Sequence, residues 1–328
     1  MNRSFFFKTV VAACVSVVGA LGATLALAQA SDFPSKPVKF VVPFPPGSGT
    51  DTSARYFAKK FTELTGQTVV VDNKPGANGF IAVRNVLGAP ADGYTVFVGS
   101  NSTLAVNVAL FKSLPYDPVT DFAPLSMMMR APALLVVPSQ SSYQTVSDVV
   151  TAAKAQPGKL DYGSGSAGYQ LMAELFNDVA GVQLFHVPFK GASEAMTAVA
   201  SGTVQMAFAD ITGASELVKG GKLRALAVAS DRRVPAVPNV PTAIEAGLPG
   251  FTAYTWVGAM VSAKTPKAET DKLAAIMGKI EAMPETREFY EKLGAETMRG
   301  GAEEMRAFQN AEIQLWKRIV TKAKVEQQ

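Results

Sequence analysis

Two segments of this chain share one order of local features: an apolar run, a glycine-rich loop and an amphipathic helix. The first is FVVPFPPGSGTDTSARYFAKKF, from Phe40 to Phe61, and the second is LDYGSGSAGYQLMAELFNDVAG, from Leu160 to Gly181. In each case a further apolar run then leads into a Gly-Ala loop, at Gly76-Ala77 and at Gly191-Ala192. Strands that alternate with helices predict an α/β fold with a mainly parallel sheet. The repetition predicts two Rossmann-like lobes of similar construction.

Apolar spacing locates the individual elements. One helical face follows the first glycine-rich loop, and its members are Ala54, Phe57, Ala58, Phe61 and Leu64. Either Thr50 or Asp51 is expected to cap this helix, and Gly66 to end it. The other elements predicted in this way are the strands Val38–Phe44, Thr68–Val71 and Tyr94–Val98 and the helices Ala268–Glu281 and Ala302–Lys322.

The chain is predicted to cross between the two lobes at two apolar segments. MMMRAPALLVV, at Met127–Val137, is long enough to cross from one lobe to the other, and GFTAYTWVGAMV, at Gly250–Val261, crosses back. Trp256 in the second segment is expected to be a hinge or core residue. The first lobe is therefore predicted to comprise residues 31–130 and 251–328, and the second lobe residues 131–250.

The first 30 residues are typical of a secretory signal peptide. They combine a basic start at Arg3 and Lys8, an apolar run from Val10 to Leu27, and the A-x-A sequence Ala28-Gln29-Ala30. We expect cleavage after Ala30 and a periplasmic location. Gly19 and Gly22 interrupt the apolar run and favour a cleaved leader over a retained anchor.

Cys14 is the only cysteine of the chain. Val11-Ala12-Ala13-Cys14 resembles a lipoprotein cleavage site, but only five residues separate Lys8 from Cys14 and the apolar run continues after it. Lipidation is therefore not expected. Since Cys14 lies in the predicted leader, the exported chain is expected to have no disulfide and no thiol chemistry.

Charge excludes one class of partner. The leader carries two of the 31 basic residues and none of the 27 acidic ones, which leaves 29 basic against 27 acidic, a net charge of +2. That balance is not the basic footprint of a nucleic-acid-binding protein. Past the leader no second stretch of 18 apolar residues occurs, so no membrane span is predicted there.

The two glycine-rich loops are candidates for anion binding. Each follows a strand and precedes a helix, where free backbone N–H groups and the positive end of the helix dipole favour an anion. Pro45 and Pro46 stiffen the first loop, and Gly47 and Gly49 allow close approach of a ligand. The plain alternative is a tight strand-to-helix turn with a good cap.

Enzyme motifs are weak in this chain. Gly163-x-Gly165-x-x-Gly168 has the spacing of a dinucleotide fingerprint, but no acidic residue follows about 20 residues later to hold the ribose, so no cofactor is expected. One histidine, His186, lies in the apolar run LFHVPF. It fits a packed residue better than a general base, and with no second histidine a zinc site is not expected.

Two further polar residues lie at the ends of predicted strands. Lys190 follows the strand that ends at Phe189, and either pairs with an anionic ligand or is solvated. Asp210 follows VQMAFA, where open α/β sheets bind ligands. It either orients a ligand through water or caps the next helix.

Seven segments of the chain, taken together, resemble the Bug family of periplasmic receptors, which serve tripartite tricarboxylate transporters. The resemblance covers essentially the whole exported chain. It rests on the segments VVPFPPGSGTDTSAR (Val41–Arg55), VVVDNKPGANG (Val69–Gly79), ADGYTVFVGS (Ala91–Ser100), LPYDPVTDFAPL (Leu114–Leu125), VPFKGASEA (Val187–Ala195), GKLRALAVASDRR (Gly221–Arg233) and VPTAIEAGLPGF (Val240–Phe251).

The resemblance implies a type II periplasmic-binding-protein fold, a Venus flytrap whose two lobes are joined by two crossover strands. It implies a monomer that is not an enzyme, that captures a small carboxylate between its lobes and that passes it to the inner-membrane permease of a tripartite tricarboxylate transporter. The ligand-binding residues it implies are Phe44, Gly47, Ser48, Thr50, Asn101, Ser102, Ser164, Ser166, Ala167, Tyr169 and Asp210.

Three rings bear on the identity of the carboxylate. If Phe44, Tyr169 and Phe189 all face the pocket, an aromatic or extended dicarboxylate such as a terephthalate-like diacid is expected rather than citrate or an acidic amino acid. Two rival functions stay open from the sequence. One is a receptor that signals to a sensor kinase, and the other is an exported hydrolase or isomerase that uses His186 with a nearby acid.

Overall fold

The computed structural model describes residues 33–328, and within that range one sheet of ten strands forms the centre of the molecule. The strands are β1 (Val38–Val42), β2 (Val69–Asn73), β3 (Thr95–Ser100), β4 (Phe122–Pro138), β5 (Asp161–Ser164), β6 (Phe185–Pro188), β7 (Met206–Asp210), β8 (Leu223–Val228), β9 (Tyr254–Ser262) and β10 (Glu296–Thr297).

The strand order is β2-β1-β3-β9-β4-β7-β5-β6, and β8 and β10 also pair with β4. Pairs toward the two ends of the sheet are parallel, as in β1–β2, β1–β3, β5–β6 and β5–β7. All the pairs that involve β4 or β9 are antiparallel. The prediction of a mainly parallel sheet is therefore wrong for its centre, because the two crossing strands run against their neighbours.

β4 joins two halves of the molecule. Its first part, from Phe122 to Pro132, pairs with β9, and its last part, from Ala133 to Pro138, pairs with β7 and β8. We call the half built on β1–β3, β9 and β10 the first lobe, and the half built on β5–β8 the second lobe. The sequence boundaries given above for the lobes stay a prediction.

The α-helices cover the faces of this sheet. They are α1 (Gly49–Thr65), α2 (Phe80–Leu87), α3 (Asn107–Leu110), α4 (Val146–Ala155), α5 (Ala167–Ala180), α6 (Ala192–Ala200), α7 (Ile211–Lys219), α8 (Lys267–Glu281), α9 (Pro284–Lys292) and α10 (Ala302–Lys322). A 3₁₀ turn at Ala77–Gly79 and a π-turn at Ser102–Val106 precede α2 and α3. Helix α9 was not predicted from the sequence; it is a polar helix with proline at its first position.

Helix α1 shows how the predicted apolar face packs. Ala54, Phe57, Ala58 and Phe61 are buried, and Phe61 meets Phe40 of β1 edge-to-face at 6.0 Å between ring centroids. Leu64 is 43% exposed, contrary to its assignment to the face. Ten residues at 3.6 per turn place Leu64 about 80° around the helix from Ala54, at the edge of the apolar stripe.

Two of the helices end at a glycine. Gly66 ends α1 with φ of 71° and Gly181 ends α5 with φ of 64°, both in the left-handed region.

Trp256 is buried on β9, as expected of a hinge or core residue, and its indole N–H donates to Glu312 Oε2 at 3.0 Å. This bond ties the hinge strand to α10.

Within residues 33–328 we find no helix both long and apolar enough to cross a bilayer. The predicted leader, Cys14 and the cleavage point after Ala30 lie outside the described residues.

Candidate functional site

The two glycine-rich loops face each other across the gap between the lobes. The loop after β1 opens α1 in the first lobe, and the loop after β5 opens α5 in the second. Ser102 Oγ of the first lobe donates to Ser166 Oγ at 3.0 Å, and it accepts from the backbone N–H of Gly168 at 3.1 Å. The lobes therefore touch through a hydroxyl group and a helix N-terminus.

Ser48, and not Thr50 or Asp51, caps α1. Its Oγ accepts from the backbone N–H of Asp51 at 3.2 Å. Thr50 and Asp51 lie inside the first turn, and Asp51 reaches back to the loop, where Oδ2 accepts from Gly47 N–H at 3.0 Å. The prediction that Thr50 or Asp51 caps the helix is therefore wrong, although the helix does begin within this group of capping residues.

Asp51 also fixes the loop after β1 through hydrogen bonds with Asn73 and Arg55. Its Oδ1 accepts from Asn73 Nδ2 at 2.8 Å, and its Oδ2 accepts from Arg55 Nε at 2.9 Å. Asn73 Nδ2 donates in addition to the Phe44 carbonyl at 3.0 Å. Burial raises the pKa of the Asp51 carboxyl, but hydrogen bonds from Arg55, Gly47 and Asn73 outweigh it, so that the pKa lies below its usual value. The carboxylate is thus charged and fixes the loop that carries Phe44 and Ser48.

Asp210 is the matching anchor of the second lobe. Its Oδ1 accepts from Gly213 N–H at 2.9 Å and from the Thr212 hydroxyl, which makes it the cap of α7. Its Oδ2 accepts from the Tyr169 hydroxyl at 2.6 Å. Burial, and after it the Asp210 carboxylate, raises the pKa of Tyr169 well above its usual value, so the phenol stays protonated and donates. The helix-cap role predicted for Asp210 is observed, and its ligand role stays a prediction.

The space enclosed between the loops, the inner cavity, is small. Its volume is about 20 Å³, which is room for about one water molecule. A bound dicarboxylate is much larger than one water. In this arrangement the lobes must therefore separate before such a molecule can enter.

The structure brings together most of the predicted ligand-binding residues. Seven of them line the inner cavity: Phe44, Ser48, Thr50, Ser102, Ser166, Tyr169 and Asp210. The other four do not line it. Gly47 is exposed at the tip of the loop, and Ala167 is buried at the start of α5. Ser164 Oγ is hydrogen-bonded to His186 Nε2 at 2.7 Å, away from the cavity.

Asn101 lies just behind the cavity wall. Its Oδ1 accepts from Thr255 Oγ1 of β9 at 3.0 Å, whereas its Nδ2 is buried without a hydrogen-bond partner. A methyl group at Gly168 would come within 3.0 Å of Nδ2, so the free amide lies beside the first turn of α5. An unsatisfied buried donor next to a cavity is unusual in proteins.

The remaining members of the wall are Gly49, Ser100, Met129, Gly165, Ala192, Thr255 and Val257. Of these, only Gly49 was predicted from the sequence to lie close to a ligand. Gly165 belongs to the second glycine-rich loop, and its position in that loop was a usable signal. Met129, Thr255 and Val257 lie on the crossing strands, whose apolar pattern indicates burial and no more.

A second and larger space, the outer cavity, lies next to the first. Its volume is about 420 Å³, and Phe44 and Gly165 border both cavities. Phe189 and Lys190 border only the outer cavity, and Tyr169 borders only the inner one. The three rings singled out in the sequence therefore do not share one pocket, and Phe44 is the ring common to both.

His186 has the environment of a packed residue. It stacks on Tyr162 with ring centroids 5.1 Å apart, and burial lowers its pKa. Among the residues that the structure describes, no carboxylate is hydrogen-bonded to it. The same part of the chain holds no group of three or more histidine, cysteine, aspartate or glutamate residues that could bind a metal ion.

Two α/β lobes joined by long crossing strands, with facing loops that offer hydroxyl and N–H groups, define a solute-binding protein. The sequence pattern of the tripartite tricarboxylate transporter family receptor, TctC, matches residues 53–325, and the chain belongs to this family. It is a family of periplasmic receptors and not of enzymes. The predicted family, the periplasmic-binding fold and the absence of an enzyme function are confirmed on this basis.

Three solved structures are similar over almost their full length. Rpa4515 of R. palustris, solved with adipate, has a TM-score of 0.87 at 32% identity and covers 90% of this chain and 100% of its own. MatC of Rhodopseudomonas palustris, solved with bound malate, has a TM-score of 0.83 at 32% identity, over 88% of this chain and 100% of its own. The periplasmic binding protein BugD has a TM-score of 0.85 at 30% identity, over 90% and 100%.

Proposed function

We propose that this protein is an exported receptor that captures a small organic carboxylate between its lobes. It then delivers the carboxylate to the permease of a tripartite tricarboxylate transporter. The observation that carries the proposal is the set of hydrogen-bond donors that converge on the inner cavity from both lobes. Ser166 begins α5 without a side-chain cap, and the Gly168 N–H of that helix instead bonds across the gap to Ser102.

A carboxylate can take over these bonds. Its oxygens are acceptors only, and they would accept from Gly168 N–H, from the hydroxyls of Ser102 and Ser166, and from the unpartnered Nδ2 of Asn101. The starts of α1 and α5 add the positive ends of two helix dipoles. Because these donors come from both lobes, the anion stabilises the closed form over the open one, as a population shift requires.

The residues that we assign to the ligand are those predicted from the sequence. They are Phe44, Gly47, Ser48, Thr50, Asn101, Ser102, Ser164, Ser166, Ala167, Tyr169 and Asp210. For Gly47, Ser164 and Ala167 the assigned role is to shape the loops, since they stand outside the inner cavity. The receptor acts as a monomer without a cofactor, in the periplasm, after cleavage behind Ala30.

We infer that the carboxylate is a dicarboxylate with an aromatic or extended body, such as a terephthalate-like diacid. The support is the ring of Phe44 at the junction of the two cavities and Phe189 in the outer one. A relative at 32% identity was solved with adipate, which is an extended diacid.

The test begins with the full chain expressed for export and recovered from the periplasmic fraction. The mass of the recovered protein reports cleavage after Ala30. Thermal unfolding is then followed with millimolar mono-, di- and tricarboxylates, both aliphatic and aromatic. A ligand at about 100 times its dissociation constant stabilises by roughly 2.7 kcal/mol and shifts the melting temperature by a few degrees. A shift with aromatic or long diacids is expected, and no shift with any carboxylate would contradict the receptor function.

Delivery to a permease needs a cellular measurement. Deletion of the gene should abolish uptake of the carboxylate identified in the thermal assay, and a plasmid copy should restore it. Normal uptake in the deletion strain would contradict the transport function.

A further inference from the structure

We propose that the outer cavity is a second anion subsite, in which Lys190 binds the far carboxylate of the ligand and so selects diacids over monoacids. The inference rests on the proposed function, and it adds to it a cation and a second binding position. Nothing in the donor set of the inner cavity requires a second charge on the ligand.

The two cavities are adjacent, since Phe44 and Gly165 border both. We infer that they join into one path when the lobes part for a ligand, so that a molecule anchored at the inner donors extends past these two residues into the outer space. The outer space has a volume of about 420 Å³, against about 20 Å³ for the inner one. An alkyl chain or a benzene ring therefore fits outside the donors and not among them.

Lys190 is the cation in the wall of this outer space. It is exposed, and within residues 33–328 no carboxylate lies within 4.0 Å of its Nζ as an ion-pair partner. Glu194 also borders the space, but its Oε2 accepts from the backbone N–H of Lys190 at 3.2 Å. The acidic side chain is thus turned to the loop, and the Lys190 ammonium is free to pair with an anion.

The first lobe supplies a rigid opposite wall. Asn78 borders the space with φ of 50°, a left-handed backbone that is rare outside glycine. Its carbonyl accepts from Asn107 Nδ2 of α3 at 3.0 Å, and Asn107 is fully buried. Gly79, next in the chain, packs so tightly that a methyl group there would meet Thr103 Cγ2 at 2.3 Å. This wall is held in place, so the width of the subsite changes only when the lobes move.

The side walls favour an apolar linker. Phe44 is 7% exposed and Phe189 is half-buried, and Pro43 and Pro188 complete the two sides. A ligand with one carboxylate at the inner donors, an apolar body between these walls and a second carboxylate at Lys190 satisfies every part of the path. A monoacid of the same body leaves Lys190 without a partner.

The experiment compares matched acids on matched variants. Binding of adipate against hexanoate, and of terephthalate against benzoate, is measured by calorimetry on the exported wild-type protein and on Lys190→Met. We expect Lys190→Met to weaken the diacids by about tenfold, equivalent to about 1.4 kcal/mol, and the monoacids by less than about twofold. Glu194→Gln removes a negative charge that repels the second carboxylate of the ligand, so it should strengthen the binding of the diacids by a few-fold.

Lys159→Met is the control. Lys159 is an exposed lysine of the same lobe that borders neither cavity, so its variant loses the same charge with no expected change in affinity for any of the four acids. If diacids bind the wild-type protein but Lys190→Met leaves them unchanged, or weakens monoacids equally, the second subsite is wrong while the receptor function stands. If no carboxylate binds the wild-type protein, the receptor function itself fails.

Discussion

Gly49, at the start of α1, lies directly against Asp210 of the opposite lobe. A methyl group built on Gly49 would stand 2.7 Å from Asp210 Oδ1 and 2.6 Å from Thr212 Oγ1. Gly168 and Gly191 have the same relationship to the first lobe, since a methyl group there would stand 2.7 Å from Ser102 Oγ and 2.5 Å from Pro45 Cδ respectively. These glycines of the loops are therefore needed for the lobes to meet.

Gly49→Ala should act as a wedge. The backbone of Gly49 is helical, so alanine strains nothing within α1, and the new methyl group collides only with the second lobe. We expect at least about tenfold weaker carboxylate binding, a loss of about 1.4 kcal/mol, with no loss of thermal stability. Calorimetry gives the affinity, and small-angle scattering with ligand present reports whether the variant stays more open than the wild type.

Gly278→Ala is the matched control for this wedge. Gly278 lies inside α8, and a methyl group there would have no atom within 4 Å. The control should bind normally and gain about 0.5–1 kcal/mol of stability from the helix. Unchanged affinity in Gly49→Ala would show that the ligand-bound lobes stay further apart than in this structure.

The individual helices and strands could be predicted from the sequence because the apolar residues of each recur at the spacing of one type of secondary structure. The helical face of α1 and the glycines that end α1 and α5 follow from residue spacing alone. The antiparallel centre of the sheet could not be predicted in this way. It depends on the pairing of Phe122 with Ser262, residues far apart in the sequence, and a continuous apolar strand carries no mark of its direction.

The site shows the same division. Serine and threonine in the glycine-rich loops were found because loop chemistry is local, whereas Thr255 and Val257 come to the cavity only through the crossing of β9. The cap of α1 was misassigned for a different reason. Ser48, Thr50 and Asp51 are all good capping residues within four positions, and only the backbone geometry decides among them.

Asp51 should be essential for the shape of the binding loop. Asp51→Ala removes the acceptor for Gly47 N–H, Asn73 Nδ2 and Arg55 Nε, so Gly47 N–H loses this partner and the half-buried Asn73 amide keeps only the Phe44 carbonyl. We expect the free energy of unfolding to fall by about 2 kcal/mol and carboxylate affinity to fall with it, because the loop that carries Phe44 and Ser48 loosens. Urea denaturation and calorimetry measure the two effects.

The control for this variant is Asp271→Ala. Asp271 pairs with Lys267 on the exposed side of α8, and an exposed i,i+4 pair contributes little. Its removal should leave the urea midpoint and the affinity unchanged. An equal effect of the two substitutions would mean that Asp51 acts only as a surface charge.

His186 should make the protein less stable in mild acid. Burial lowers its pKa below the ordinary value of 6.5, so the unfolded chain binds the proton more readily than the folded one. The stability that neutral His186 contributes is complete above pH 6.5 and is lost as the pH falls from 6.5 through the lowered folded pKa. The urea midpoint should therefore drop between pH 7.5 and pH 5.5, and His186→Gln, which keeps a partner for Ser164 Oγ, should show a smaller drop.

The same residue allows a direct check of the cause. His186 is the one histidine in the chain, so the two imidazole C–H resonances in the proton NMR spectrum, from Cε1–H and Cδ2–H, report its titration without overlap from another histidine. A measured pKa below 6.5, together with the smaller pH dependence of His186→Gln, would support desolvation against Tyr162 as the origin. A pKa at or above 6.5 would instead mean that the folded chain does not disfavour the charged imidazolium relative to the unfolded chain. The loss of stability in acid would then have to come from carboxylates.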